Sequence, residues 1–136
     1  MDGCTLIHAN ASLERANQLM AAGSRNEGLQ ALQGLSVDDF GLLLLGAPDG
    51  FDDLKAALPE MPSEQIQRDW TGSSGLALLR QTCAFVRSVE RAFVKLSGRP
   101  LQGRTILHYG CGWGRIIRLM YRFSPPEEIY GVDPWE

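Results

Sequence analysis

The stretch ILHYGCGWGR, residues 106–115, restricts the fold more than any other part of this chain. Three glycines alternate at Gly110, Gly112 and Gly114, directly after the short apolar run RTILHY. A chain omits side chains in this way where its backbone turns sharply or where another group must come close. The segment RIIRLMYRF follows, with Ile116, Ile117, Met120 and Phe123 at helical spacing, and SPPEE breaks it. IYGVD then reads as a second short strand. Strand, glycine turn, helix and strand in this order form one βαβ unit of a parallel sheet, which places the chain in the α/β class.

Upstream, residues 1–70 read as a region of short helices. Ser12 precedes a periodic run ended by Gly23, and Ser24 with Glu27 has the spacing of a capping box. Ser36 opens VDDFGLLLLG with acids in the first turn, where the helix dipole favours them. FDDLKAAL stops at Pro59, and Ser63 caps a further helix. A faint likeness to a tetratricopeptide hairpin in residues 14–35 has a single copy, so a plain helical cap is the better reading. Residues 71–98 form a long amphipathic connecting helix, with the helix itself expected over 73–97. Its apolar stripe runs through Leu76, Leu79, Cys83, Val86, Val89, Phe93 and Leu96, opposite Arg80, Arg87, Arg91 and Lys95. Residues 99–136 hold the βαβ unit, so the expected organisation is helical region, connecting helix, then the start of a Rossmann-like domain.

Composition removes several classes of function. With 136 residues, 44% hydrophobic and 21% charged, the chain suits one modest globular domain. No apolar run approaches the roughly 18–20 residues of a membrane span, and the N-terminus lacks a signal-peptide pattern. A soluble, cytoplasmic protein is expected, with no membrane partner. Cys4, Cys83 and Cys111 are scattered without metal-ligand spacing, so no metal site is expected. Residues 1–70 carry 11 acids and 4 bases, and residues 71–136 carry 5 acids and 9 bases. No basic cluster is dense enough to suggest nucleic acid.

A glycine-rich first turn in a βαβ unit is a nucleotide-binding pattern. The backbone must turn tightly and let a ligand approach, while first-turn N–H groups of the helix lack intrahelical partners. A carboxylate ending the second strand can accept hydrogen bonds from ribose hydroxyls. Asp133 has that place, 19 residues after Gly114. The dinucleotide fingerprint G-x-G-x-x-G would need glycine where Arg115 stands, which weakens a nicotinamide-oxidoreductase reading.

With G-x-G-x-G after the strand and Asp133 spaced behind it, residues 104–136 resemble the first two motifs of class I S-adenosylmethionine-dependent methyltransferases. The segment LPEMPSEQIQRDWTGSSG is similar, less specifically, to the lead-in of some bacterial members. The resemblance implies a Rossmann-like parallel sheet of which this chain carries only the first two strands. It also implies S-adenosylmethionine as cofactor and methyl transfer to an unidentified acceptor, expected to be a small molecule. The chain would then be the N-terminal portion of a longer enzyme, inactive alone. Carried over by motif, the cofactor-binding residues are His108, Tyr109, Gly110, Cys111, Gly112, Gly114, Asp133, Pro134 and Trp135. Cys111 is expected as a small filler rather than a nucleophile, and no catalytic residue is identifiable. The competing reading is a non-catalytic helical interaction module that keeps a remnant nucleotide-binding unit.

One motif position departs from the family. His108 stands where an acid usually helps to hold the charged methionyl end of the cofactor. A neutral imidazole offers one acceptor nitrogen, whereas a protonated one would repel an ammonium group. His108 is therefore either a ligand of altered strength or a buried strand residue. Trp113 either packs the loop or touches substrate, and Arg115 either anchors the loop or lies exposed. Residues 70–75, WTGSSG, read as a hinge with an N-cap, acting as a lid over the cofactor or as a plain interdomain turn.

Overall fold

The computed structural model describes residues 5–134. Helix α1 (Thr5–Ala21) and helix α2 (Arg25–Ala31) form a hairpin, continued by a 3₁₀ turn at Leu32–Gly34. Helix α1 begins well before Ser12. The alanine-rich residues 9–11 favour helix strongly enough for Ser12 to be absorbed into it. Ser24 precedes α2, but its side chain makes no capping hydrogen bond. Backbone bonds close that turn instead, with Ser24 N donating to Leu19 O at 2.9 Å and Gly28 N to Ser24 O at 2.9 Å.

Helix α3 (Val37–Leu45) starts as its sequence requires: Asp39 N donates to Ser36 Oγ at 3.0 Å. Helix α4 (Asp52–Ala57) is tied to α1, because Leu54 N donates to Asn17 Oδ1 at 2.8 Å. Helix α5 (Glu64–Thr71) is capped by Ser63 and ends at Gly72 in a left-handed conformation. Helix α6 (Gly75–Ser97) is the longest. Strand β1 (Ile106–Tyr109), helix α7 (Ile117–Met120) and strand β2 (Ile129–Val132) complete the described chain. The two strands pair in parallel, Ile106 opposite Ile129 and Tyr109 opposite Val132. The molecule is thus a mixed α/β structure, mainly helical, with a two-stranded parallel sheet among the described residues.

One buried apolar cluster runs through both halves. Phe40, Leu43 and Leu44 of α3 meet Leu79, Cys83 and Val86 of α6, and Leu119 and Met120 of α7 join them. Gly41 allows this approach: a Cβ there would lie 2.8 Å from Leu79 Cδ1 and 3.0 Å from Cys83 Sγ. Each large aliphatic side chain buried here contributes about 1.5–3 kcal/mol relative to exposure. The helical region and the βαβ unit therefore share one core.

The apolar stripe of α6 proves shorter than its spacing suggests. Leu79, Cys83 and Val86 are buried, but Leu76 is 45% and Leu96 87% exposed. At about 1.5 Å per residue, α6 far outruns the nine-residue α3 that covers it. Helix α7 is also shorter than its apolar spacing. Leu119 N, Arg122 N and Phe123 N each bond three residues back, in the tighter 3₁₀ manner, and the prolines at 125 and 126 stop the turn. No helix among the described residues is long and apolar enough to cross a membrane.

Candidate functional site

The site forms where the glycine loop leaves β1 and folds over the end of β2. Gly110, Gly112 and Gly114 have φ of +73°, +52° and +87°. L-residues with a side chain rarely adopt this region, so the alternate glycines are required by backbone conformation. Gly110 N donates to Val132 O at 2.7 Å and Cys111 N to the same oxygen at 3.3 Å. Gly112 N donates to Asp133 Oδ2 at 2.7 Å. Gly114 N closes the turn onto Cys111 O at 2.9 Å. The loop amides at 110, 111, 112 and 114 thus bind protein acceptors, so these N–H groups are not the ones that face a ligand.

Cys111 and Ile117 sit over Gly131. A Cβ at Gly131 would lie 2.9 Å from Cys111 Sγ and 2.7 Å from Ile117 Cδ1. The thiol of Cys111 is therefore a packing group that seats the loop on β2. Opposite Gly131 in the register stands His108. Its ring is half-buried on the inward face of β1, and its buried Nδ1 has no hydrogen-bond partner.

A cleft of about 190 Å³ opens beside this loop. It is lined by His108, Gly110, Cys111, Gly112 and Asp133, with Trp113, Arg115 and Ile116. Trp70 and Thr71, at the end of α5, supply the remaining wall. The Trp70 ring is 3.3 Å from where a Cβ of Gly112 would stand. Gln67 locks this wall: fully within the structure, it donates from Nε2 to Pro62 O at 2.8 Å and accepts from Gly75 N at 3.0 Å. Thr71 Oγ1 bonds Gln67 O and Ser73 O. Ser74 makes no side-chain cap for α6, because its Oγ turns to Glu64 and Arg68. Residues 70–75 are a tied turn, not a loose hinge.

The cations around the loop are anchored. Arg115 reaches Thr82 Oγ1 of α6 at 3.4 Å, which favours the loop-anchor reading. Arg118 stacks over the Trp113 ring at 5.4 Å and bonds Glu60 O. Burial lowers the Arg118 pKa, but a guanidinium keeps its charge. Trp113 is held from behind by this cation while also lining the cleft.

The structure thus gathers His108, Gly110, Cys111, Gly112 and Asp133 in one cleft. Gly114 shapes the loop without lining it. Tyr109 points to the other face of the strand and is 81% exposed, because strand side chains alternate. Pro134 is exposed beyond the cleft, and Trp135 lies outside the described residues. Ile116 is an addition that motif spacing did not supply, and Trp70 and Thr71 come from the segment read either as a lid over the cofactor or as a plain interdomain turn. The signal was the aromatic residue opening WTGSSG, but its partner is a loop some forty positions away. Among the described residues, no group of three or more His, Cys, Asp or Glu is placed to hold a metal ion. Compared with protein-family models, curated proteins and solved structures, the chain matches none.

Proposed function

We propose that this cleft binds S-adenosylmethionine and that the chain is the cofactor-binding portion of a methyltransferase with a Rossmann-like sheet. The observation that carries the reading is the 2.7 Å bond from Gly112 N to Asp133 Oδ2. It joins the glycine loop of one strand to the carboxylate ending the next parallel strand. Asp133 also lines the cleft, at the place where a carboxylate can accept hydrogen bonds from ribose hydroxyls. Open space above Gly110, where a Cβ would meet nothing within 4 Å, suits the close approach of a ligand. The buried, unpartnered His108 Nδ1 suits a polar ligand group. By these observations the residues present fit the ribose and amino-acid end of the cofactor.

Bound, S-adenosylmethionine would supply an electrophilic methyl group on a sulfonium centre. Asp133 would hold the ribose, the glycine loop would give it room, and Trp70 would exclude water from one side. Rate enhancement would come chiefly from holding donor and acceptor in line. The acceptor class proposed is a small molecule.

A second reading, a non-catalytic interaction module, draws on the opposite face of the sheet. Leu107, Tyr109, Tyr130 and Val132 are all exposed there. Titration calorimetry of the chain with S-adenosylhomocysteine and with a nicotinamide dinucleotide separates the readings. Saturable binding of S-adenosylhomocysteine alone supports the methyltransferase. Binding of neither supports the module, and binding of the dinucleotide alone overturns the proposal in favour of an oxidoreductase.

A further inference from the structure

We propose that a small cavity behind the glycine loop is a binding site for one monatomic anion of chloride size, held between Arg115 and Arg118. The proposal goes beyond the cofactor reading and does not depend on it. The cavity has a volume of about 10 Å³, room for about one water-sized particle. Both guanidinium heads lie at its wall, because their own partners form that wall. Arg115 Nη1 bonds Thr82 Oγ1 at 3.4 Å. Arg118 bonds Met61 Sδ through Nη1 and Trp113 O through Nη2, each at 3.5 Å. Thr82, Met61 and Trp113 all line the cavity, and leucines of α3, α6 and α7 complete it.

Charge selects the ligand. Arg115 and Arg118 stand three positions apart on one helical turn, closed by Arg118 N donating to Gly114 O at 3.1 Å, so their like charges are neighbours. Among the described residues neither forms an ion pair. Glu64, which approaches the cavity at Gly75, is already paired with Arg68. The bonds of both heads go to neutral acceptors: a hydroxyl, a thioether and the backbone oxygens of Glu60 and Trp113. A guanidinium has more N–H donors than these acceptors use. The leucine wall lowers the local dielectric, which strengthens the attraction of either cation for an anion. A water molecule there would take hydrogen bonds but leave both charges uncompensated. A monatomic anion fits the volume, accepts from both heads and turns their repulsion into a bridge. Carboxylates and phosphates are too large for it. Trp113 and Arg115 also line the cleft, so an anion here braces the wall that the two cavities share.

The test is chlorine NMR of the chain, in which a chloride ion exchanging with a protein site broadens the line of the free ion. Excess broadening is expected that saturates with chloride, is displaced by bromide and is not displaced by gluconate, whose bulk the cavity excludes. Arg115→Gln and Arg118→Gln should each remove most of it. Arg91→Gln, which alters an exposed arginine of α6, should keep it. A second readout needs no variant. When chloride replaces gluconate at constant ionic strength, the Trp113 indole and the Nε resonances of Arg115 and Arg118 should move saturably, while that of Arg91 stays. No excess broadening shows that the cavity takes water alone and overturns the proposal. Displacement by gluconate as readily as by bromide, or equal loss in Arg91→Gln, shows a diffuse ion atmosphere and overturns it as well.

Discussion

Replacing Gly131 with alanine tests how the glycine loop is seated. Gly131 is not among the positive-φ glycines, so alanine meets no backbone strain there. The cost is steric. The new Cβ would stand 2.7 Å from Ile117 Cδ1 and 2.9 Å from Cys111 Sγ, against roughly 3.5–4.0 Å for comfortable carbon contacts. Overpacking of this kind costs about 1–3 kcal/mol. Alanine regains about 0.5–1 kcal/mol over glycine inside a strand. The expected net loss is about 0–2.5 kcal/mol. Ile117→Val removes the Cδ1 atom that makes the shorter contact, at its own cost of about 0.5–1.5 kcal/mol. In that background, Gly131→Ala should cost about 1 kcal/mol less than in the natural chain. Urea unfolding of the four proteins, followed by tryptophan emission, gives the coupling directly. Additivity to within about 0.5 kcal/mol would refute the packing of Ile117 over Gly131.

Three further outcomes are expected. Burial pushes the Cys83 thiol up to about 11, with the nearby Asp38 adding to it, so the native state holds its proton where the unfolded chain releases one. Stability should therefore fall between about pH 9 and 11, by at most about 1.4 kcal/mol per pH unit from this group, and the slope should flatten in Cys83→Ala when unfolding is measured against pH. Gly110→Ala and Gly112→Ala both force alanine to positive φ at about 1–2 kcal/mol, but only the second crowds Trp70, so only Gly112→Ala should also alter Trp70 quenching by acrylamide. Gln67→Leu leaves Pro62 O and Gly75 N without their partner, which should destabilise by about 1–3 kcal/mol and loosen hydrogen exchange at Gly75.

The parts of this site legible in the sequence are those set by local backbone geometry. Gly110, Gly112 and Gly114 announce a turn that only glycine makes easily, and the spacing to Asp133 places that residue at the end of β2. The motif resemblance implies Tyr109 beside His108 at the cofactor, but alternation along β1 sends His108 inward and Tyr109 outward. What remained illegible depends on contacts between distant segments. Trp70 reaches Gly112 only because Gln67 and Thr71 fix the α5–α6 turn. The apolar stripe of α6 continues past the point where α3 stops covering it, and periodicity carries no record of a neighbour's length. Ser24 and Glu27 have capping-box spacing, yet the tight α1–α2 hairpin closes that turn through its backbone. Gly131 reads as an unremarkable strand glycine until Cys111 and Ile117 are seen above it.

Amide NMR of the chain titrated with S-adenosylhomocysteine tests the central claim most directly, because it reports both binding and its place. The expected result is saturable movement of the Gly110, Gly112 and Asp133 amides together with the Trp70 indole. Movement confined to the Leu107, Tyr109, Tyr130 and Val132 face, or none at all, would contradict a cofactor cleft between the glycine loop and α5.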